Sequence, residues 1–190
     1  MASWNDRRRS PAPSGGAVAP QLQAALLYAH LGLKVFPLRP GSKVPFSGSH
    51  GFKDATVDAD QIRVWWQAAP GANIGLATGG LVDVIDIDGP EGVASWLALE
   101  DRPVVVGHVT TPRPQGHHLY IRATGDGDST QLLPDIDYRG LGGYVVAPPS
   151  FFAGDTSHPY RGRYRWLDEL QIVGGVPQPI EEASVDDFLE

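Results

Sequence analysis

Asp86 and Asp88 stand two apart in the run Val82-Asp83-Val84-Ile85-Asp86-Ile87-Asp88-Gly89. In an extended chain that spacing puts both carboxylates on one face, about 6.5 to 7 Å apart along the backbone, with Ile85 and Ile87 pointing the other way. Two carboxylates on an otherwise apolar strand repel each other and lose hydration, so their charge needs cations or exposure at a strand end. Paired Mg2+ or Mn2+ ions in phosphoryl-transfer sites sit roughly 3.5 to 4 Å apart, a span that two convergent Asp side chains bridge. The plainer alternative is that the pair closes a strand before the Gly89-Pro90 turn, where Asp is common for hydrogen-bonding reasons. Asp83 faces the Ile85 side and reads as structural or surface. His117 and His118 take opposite faces of a second extended run, so at most one joins a given site. Asp137 and Arg139, again two apart, offer another carboxylate with a guanidinium on the same side, or merely a surface ion pair. Lys43 stands alone in the loop Pro40-Gly41-Ser42-Lys43-Val44-Pro45.

The elements that must carry these residues are short. Gly 23 and Pro 17 in 190 residues favour many turns over long helices, and hydrophobic residues at 42% supply a real core. Leu22, Ala25, Leu26, Tyr28 and Ala29 recur at helical spacing between Pro20 and Gly32. Asp58 followed by Gln61 has capping-box spacing before Ile62, Trp65 and Trp66, and Pro70 closes that helix. Pro90 opens a third over 91–99. Strands are expected at 34–38, 73–77, 81–87, 104–109, 117–122 and 144–147, with 73–77 and 81–87 forming a hairpin across Gly79-Gly80. A last pair is expected around Tyr160 and 164–166. The order is mixed α and β.

Charge divides unevenly along the chain. The formal −7 comprises +2 on residues 1–20, from Arg7, Arg8 and Arg9 against Asp6, then −2 on 21–167 and −7 on 168–190. Residues 1–20 read as a flexible basic arm and 168–190 as an acidic tail or linker. Near-neutral charge in the middle neither demands nor forbids a polyanionic partner. The absence of cysteine excludes disulfides and thiolate metal sites, so any metal must be held by carboxylate, imidazole, carbonyl or water, and no zinc is expected. The apolar stretch 21–33 is too short to span a membrane and no signal-peptide segment precedes it; no membrane partner is expected, and a cytoplasmic location is compatible.

Taken together the segments 35–45, 51–56, Trp65-Trp66, 73–75, Asp86-Ile87-Asp88, Gly116-His117-His118-Leu119-Tyr120, Asp137-Tyr138-Arg139-Gly140 and 143–150 closely resemble the bifunctional DNA primase/polymerase (Prim-Pol) domain of the archaeo-eukaryotic primase superfamily. The resemblance covers about 21–167 and implies an α+β primase-polymerase core, with an RRM-like sheet unit packed against a second small α/β unit. It implies metal ligation by Asp86, Asp88 and Asp137 with two Mg2+ or Mn2+ ions. It also implies phosphate contact by His118, which lies two residues after Gly116 and two before Tyr120. Phosphate binding extends by the same likeness to Arg139 and Lys43. The implied partners are a single-stranded DNA template, NTP or dNTP, and a helicase domain or subunit; the implied setting is replication of a plasmid, phage or mobile element. One departure concerns the loop before His118. Similar domains carry a Ser-Gly-Gly-like segment there, whereas Thr111-Pro112-Arg113-Pro114-Gln115-Gly116 has two prolines that remove main-chain donors.

The reading therefore expects a DNA primase/polymerase, a nucleotidyltransferase in which a 3′-hydroxyl attacks the α-phosphate of a nucleoside triphosphate. A catalytically silent primase-like module that recruits a replication complex is the alternative, and a metal-dependent phosphohydrolase is a third. Each polymerase version requires Asp137, distant in sequence, to meet Asp86 and Asp88 in one cleft.

Overall fold

The computed structural model describes residues 19–189; the expected basic arm lies, all but its last two residues, outside the described residues. Helix α1 (Pro20–His30) starts with proline in its first turn and ends where Gly32, at φ +85°, lets Leu33 N donate back to Tyr28 O and Gly32 N to Ala29 O. Strand β1 (Val35–Leu38) follows, then a loop and a 3-10 turn at Gly51–Asp54. Helix α2 (Ala59–Ala68) is capped as its sequence requires: the Asp58 carboxylate accepts from Asp60 N at 2.9 Å and Gln61 N at 3.3 Å. After it come β2 (Asn73–Ala77), β3 (Val82–Asp88), α3 (Pro90–Leu97), β4 (Val105–Thr110), β5 (Gly116–Arg122), β6 (Ser129–Leu133), β7 (Ile136–Arg139) and β8 (Tyr144–Ala147). The short β9 (Phe151–Phe152), β10 (Gly162–Arg163), β11 (Arg165–Asp168), β12 (Ile172–Val173) and β13 (Val176–Pro177) precede α4 (Glu182–Leu189).

The strands form a six-stranded antiparallel sheet in the order β11-β4-β5-β3-β7-β6, a three-stranded sheet β1-β2-β8, and the ribbons β9-β10 and β12-β13. The architecture is α+β, as the sequence indicates. Alternation along β3 divides the core in two. Val82 and Val84 join the cluster of Tyr120, Phe36, Ile74, Trp65 and Trp66 that fills the space toward α1, α2 and the three-stranded sheet. Ile85 and Ile87 join Trp96, Leu119, Ile136, Val185 and Leu189 on the other face, beneath α3 and α4. Among the described residues no helix is long and apolar enough to cross a membrane.

Three expectations are corrected. β2 and β3 are not a hairpin: β2 pairs with β1 and β8, while β3 is flanked by β5 and β7, so the Gly79-Gly80 turn passes the chain from one sheet to the other. The turn residues are those of a hairpin, but strand partners are chosen by burial, and β3 is buried on both faces along most of its length. The strands near 160–166 do not pair with each other either; β10 pairs with β9 and β11 with β4. Finally, the segment read as an acidic tail or linker carries β12, β13 and α4. Val185 and Leu189 are 2% and 4% exposed, and Asp186 takes a two-pronged ion pair from Arg102 at 2.6 and 3.0 Å. A few apolar residues at helical spacing outweigh the overall acidity of that stretch.

Candidate active site

Strand β3 runs through the middle of the site. Its register sets Asp86 beside His118 of β5 and beside Asp137 of β7, so three side chains leave one row of the sheet on the same face. Asp88 lies two residues along on that face, as does Arg139 relative to Asp137. These five residues and Lys43, from the loop after β1, line one cavity of about 460 Å³ between the two sheets. Asp128, Tyr144, His158, Tyr160 and Tyr164 complete its walls.

His118 is 5% exposed, with Nε2 3.5 Å from Asp86 Oδ1 and its ring 5.6 Å from that of Tyr164. Burial pushes its imidazole down to about 3, with Lys43 and then Arg139 acting in the same direction, so the ring is neutral near pH 7. Its Nδ1 is buried without a hydrogen-bond partner. Burial pushes the Asp86 carboxyl up to about 6 against the opposing pull of Arg139 and Lys43. Asp88 is raised as well, by burial and by the charge of Asp86.

Arg139 lies amid the acids: its guanidinium is 2.6 Å from Asp137 Oδ2, 3.5 Å from Asp128 Oδ2 and 3.8 Å from Asp86 Oδ2. Asp137 also accepts from Gln131 N at 2.6 Å. Asp128 can approach because Gly143 presents no Cβ to its carboxylate. Lys43 donates to Tyr160 Oη at 3.1 Å, and its ammonium sits 4.9 Å from the Phe152 ring centre and 5.3 Å from that of Tyr160.

The loop before His118 contributes a side chain rather than amides. Thr111 N donates to Gly116 O, Gly116 N to Arg113 O, and Arg113 N to Thr111 Oγ1, which engages three of the loop's main-chain donors internally. Arg113 instead reaches Asp88 Oδ2 at 3.0 Å. Sequence reasoning missed Arg113 and Asp128 as site residues. Arg113 was legible as the one cation of a departing loop, whereas nothing local marks Asp128. Among the aromatic side chains, Trp65 and Trp66 are buried, Tyr138 donates to Asp83, and Trp166 donates to Tyr28, whereas Tyr160 lines the cavity. Asp83 itself is fully buried and accepts from Gly79 N, Thr124 N and Tyr138 Oη, a structural role. His117 faces away from the cavity and meets His108 at 2.9 Å.

Among the described residues no group of three or more acidic or imidazole side chains stands close enough together to hold a metal ion, and Arg139 spans the carboxylates instead. The donor set is nevertheless hard oxygen, the kind that suits Mg2+ or Mn2+.

A comparison with curated proteins finds no match to this chain. A family model described as bifunctional DNA primase/polymerase, N-terminal, matches residues 25–184. That span reaches from within α1 into α4 and includes both large sheets and every residue lining the cavity. The chain therefore belongs to the Prim-Pol family of bifunctional DNA primase/polymerase N-terminal domains.

Proposed function

We propose that the cavity between the sheets is a nucleotidyl-transfer site that makes and extends primers on a DNA template. Family membership implies DNA primase/polymerase activity in general, with a DNA template and nucleotide substrates, and the family normally uses divalent metals. The proposed reaction is nucleotidyl transfer. A primer 3′-hydroxyl, or that of a first nucleotide, attacks the α-phosphate of an incoming nucleoside triphosphate, the P–O bond to the β-phosphate breaks, and pyrophosphate leaves.

The observation that carries this reading is the register placing Asp86 between His118 and Asp137, with Asp88 on the same face of one open cavity. Asp86, Asp88 and Asp137 would hold Mg2+ or Mn2+. When bound, such ions lower the pKa of the attacking hydroxyl and offset charge on the leaving group. Neutral His118 presents a ring nitrogen to a phosphate oxygen without adding a buried charge. Arg139 can grip two phosphate oxygens once released from the carboxylates, and Lys43 acts as a point charge held by its aromatic seat. Replication of a plasmid, phage or mobile element, alongside a helicase domain or subunit, is the proposed setting.

One observation favours a second reading. Arg139 neutralises the acids as a bound cation would, which is compatible with a silent module that binds nucleotide and template only. A primer-extension and de novo priming assay with dNTPs and NTPs, with and without Mn2+, separates the two. Asp86→Asn with Asp88→Asn should preserve the melting curve and lower extension by 100-fold or more, about 2.7 kcal/mol or more of transition-state stabilisation. Extension retained in the double variant rejects the site, and a wild-type protein that binds nucleotide but incorporates none supports the silent module.

A further inference from the structure

We propose that the outer face of the β9-β10 ribbon, built from Phe151, Arg161, Arg163 and the adjoining Arg165, binds the sugar-phosphate backbone of the single-stranded DNA template. The inference rests on the nucleotidyl-transfer reading and adds the path of the second substrate. In Arg161-Gly162-Arg163-Tyr164-Arg165 the arginines alternate, and all three are exposed while Tyr164 turns inward to 3% exposure beside His118. Register opposes Arg163 to Phe151, and the guanidiniums of Arg161 and Arg163 lie 5.7 and 5.8 Å from the centre of that half-buried ring. No carboxylate among the described residues pairs with any of the three; the one polar contact of their guanidiniums is Arg163 Nη1 donating to Pro149 O at 3.1 Å.

In a chain of net charge −7, three arginines without acidic partners along one extended segment are a local excess of the sign that DNA requires. Edge protection by charge accounts for Arg165, on the edge strand β11, but not for two guanidiniums gathered over an aromatic ring. Arginine forks grip phosphate oxygens in pairs, and the half-buried Phe151 ring holds two of them together over one surface. The ribbon also packs behind residues that border the active cavity. Phe152, the residue after Phe151, seats Lys43, and Gly162 lies against Pro112, next to the Arg113 that pairs with Asp88. A strand on the outer face thus lies across the ribbon from the segments that carry Lys43 and Arg113.

The test is fluorescence anisotropy of a labelled oligo(dT) with wild type, the triple Arg161→Gln/Arg163→Gln/Arg165→Gln variant and the matching triple Lys variant, across about 50 to 200 mM salt. The Gln variant should bind tenfold or more weakly at low salt, its log K against log salt slope shallower by about 2, while the Lys variant keeps the slope and both bind dNTP as wild type does. Equal affinity and slope in wild type and the Gln variant overturn the proposal, as does a Lys variant that loses the slope as fully as the Gln variant. Metal-dependent incorporation of labelled nucleotide by the wild type is measured in parallel. Its absence removes the nucleotidyl-transfer reading, whereas intact incorporation beside unchanged Gln-variant binding removes only this surface.

Discussion

At the scale of single residues, Arg139 is the side chain whose position carries the most consequence. Its guanidinium sits against Asp137, Asp128 and Asp86, so a divalent cation held by these acids, as proposed, would compete with Arg139 for the same oxygens. Arg139→Gln should therefore tighten Mn2+ binding, read by water-proton relaxation, by about tenfold, corresponding to roughly 1.4 kcal/mol of removed repulsion. The same variant should weaken nucleotide binding. Unchanged Mn2+ affinity would show that the guanidinium moves aside at no cost. A second residue-scale consequence concerns the buried pair His108 and His117. Burial pushes them down to about 3 and 4 respectively, with His117 lowering His108 and His118 lowering both. The folded state thus holds both neutral where the unfolded chain, titrating near pH 6.5, takes up protons. Their contribution is fully present above pH 6.5 and is lost as pH falls from there toward 4, on the order of a few kcal/mol in all. Melting temperature should fall over that interval in wild type and fall less in His117→Gln; parallel curves would refute the assignment.

At the scale of elements, the site depends on how closely α3 and the β6-β7 turn approach β3. Gly92 in α3 has no Cβ, and one there would strike the Asp135 carbonyl and come within 3.0 Å of Ile87 Cγ2. Helix propensity alone makes Gly92→Ala favourable by about 1 kcal/mol. The clash is with backbone, which cannot rotate away, so overpacking at about 1 to 3 kcal/mol should win and lower the melting temperature. Because Asp135 precedes the strand that carries Asp137, nucleotide incorporation should fall too. A more stable Gly92→Ala variant would mean that α3 and the turn are free to separate. Capping is the simpler case: Asp58→Ala removes two accepted hydrogen bonds and should cost about 1 kcal/mol without touching the cavity.

At the scale of the whole molecule, the two faces of the six-stranded sheet have different work. One face meets the three-stranded sheet and opens into the cavity; the other is sealed by α3 and α4. Leu189 and Val185 make α4 part of that seal, so Leu189→Ala should destabilise by about 2 to 5 kcal/mol, several degrees of melting temperature, with residual activity per folded molecule unchanged. A variant ending at residue 167 should lose more, because it bares Ile121 and Val105 as well; equal stability would mean that α4 packs without contributing.

Features written within a few residues of one another were determined by the sequence alone. The Asp58 cap, the Gly32 stop, the apolar runs of β2 and β8, and the alternation that puts Asp86 and Asp88 on one face all depend on local sterics, hydrogen bonds and side-chain period. The placing of His118 on the cavity face and His117 away from it follows from the same alternation. Tertiary structure decided the rest, since strand partnership is a choice among non-local alternatives of similar local propensity. Only the pairing of β3 with both β5 and β7 brings Asp137 to Asp86, separates β2 from β3, and closes Arg139 onto the acids. Asp128 and Arg113 enter the site through loops whose paths are set by those pairings, and α4 earns its place by burying two side chains that a reading of net charge passes over.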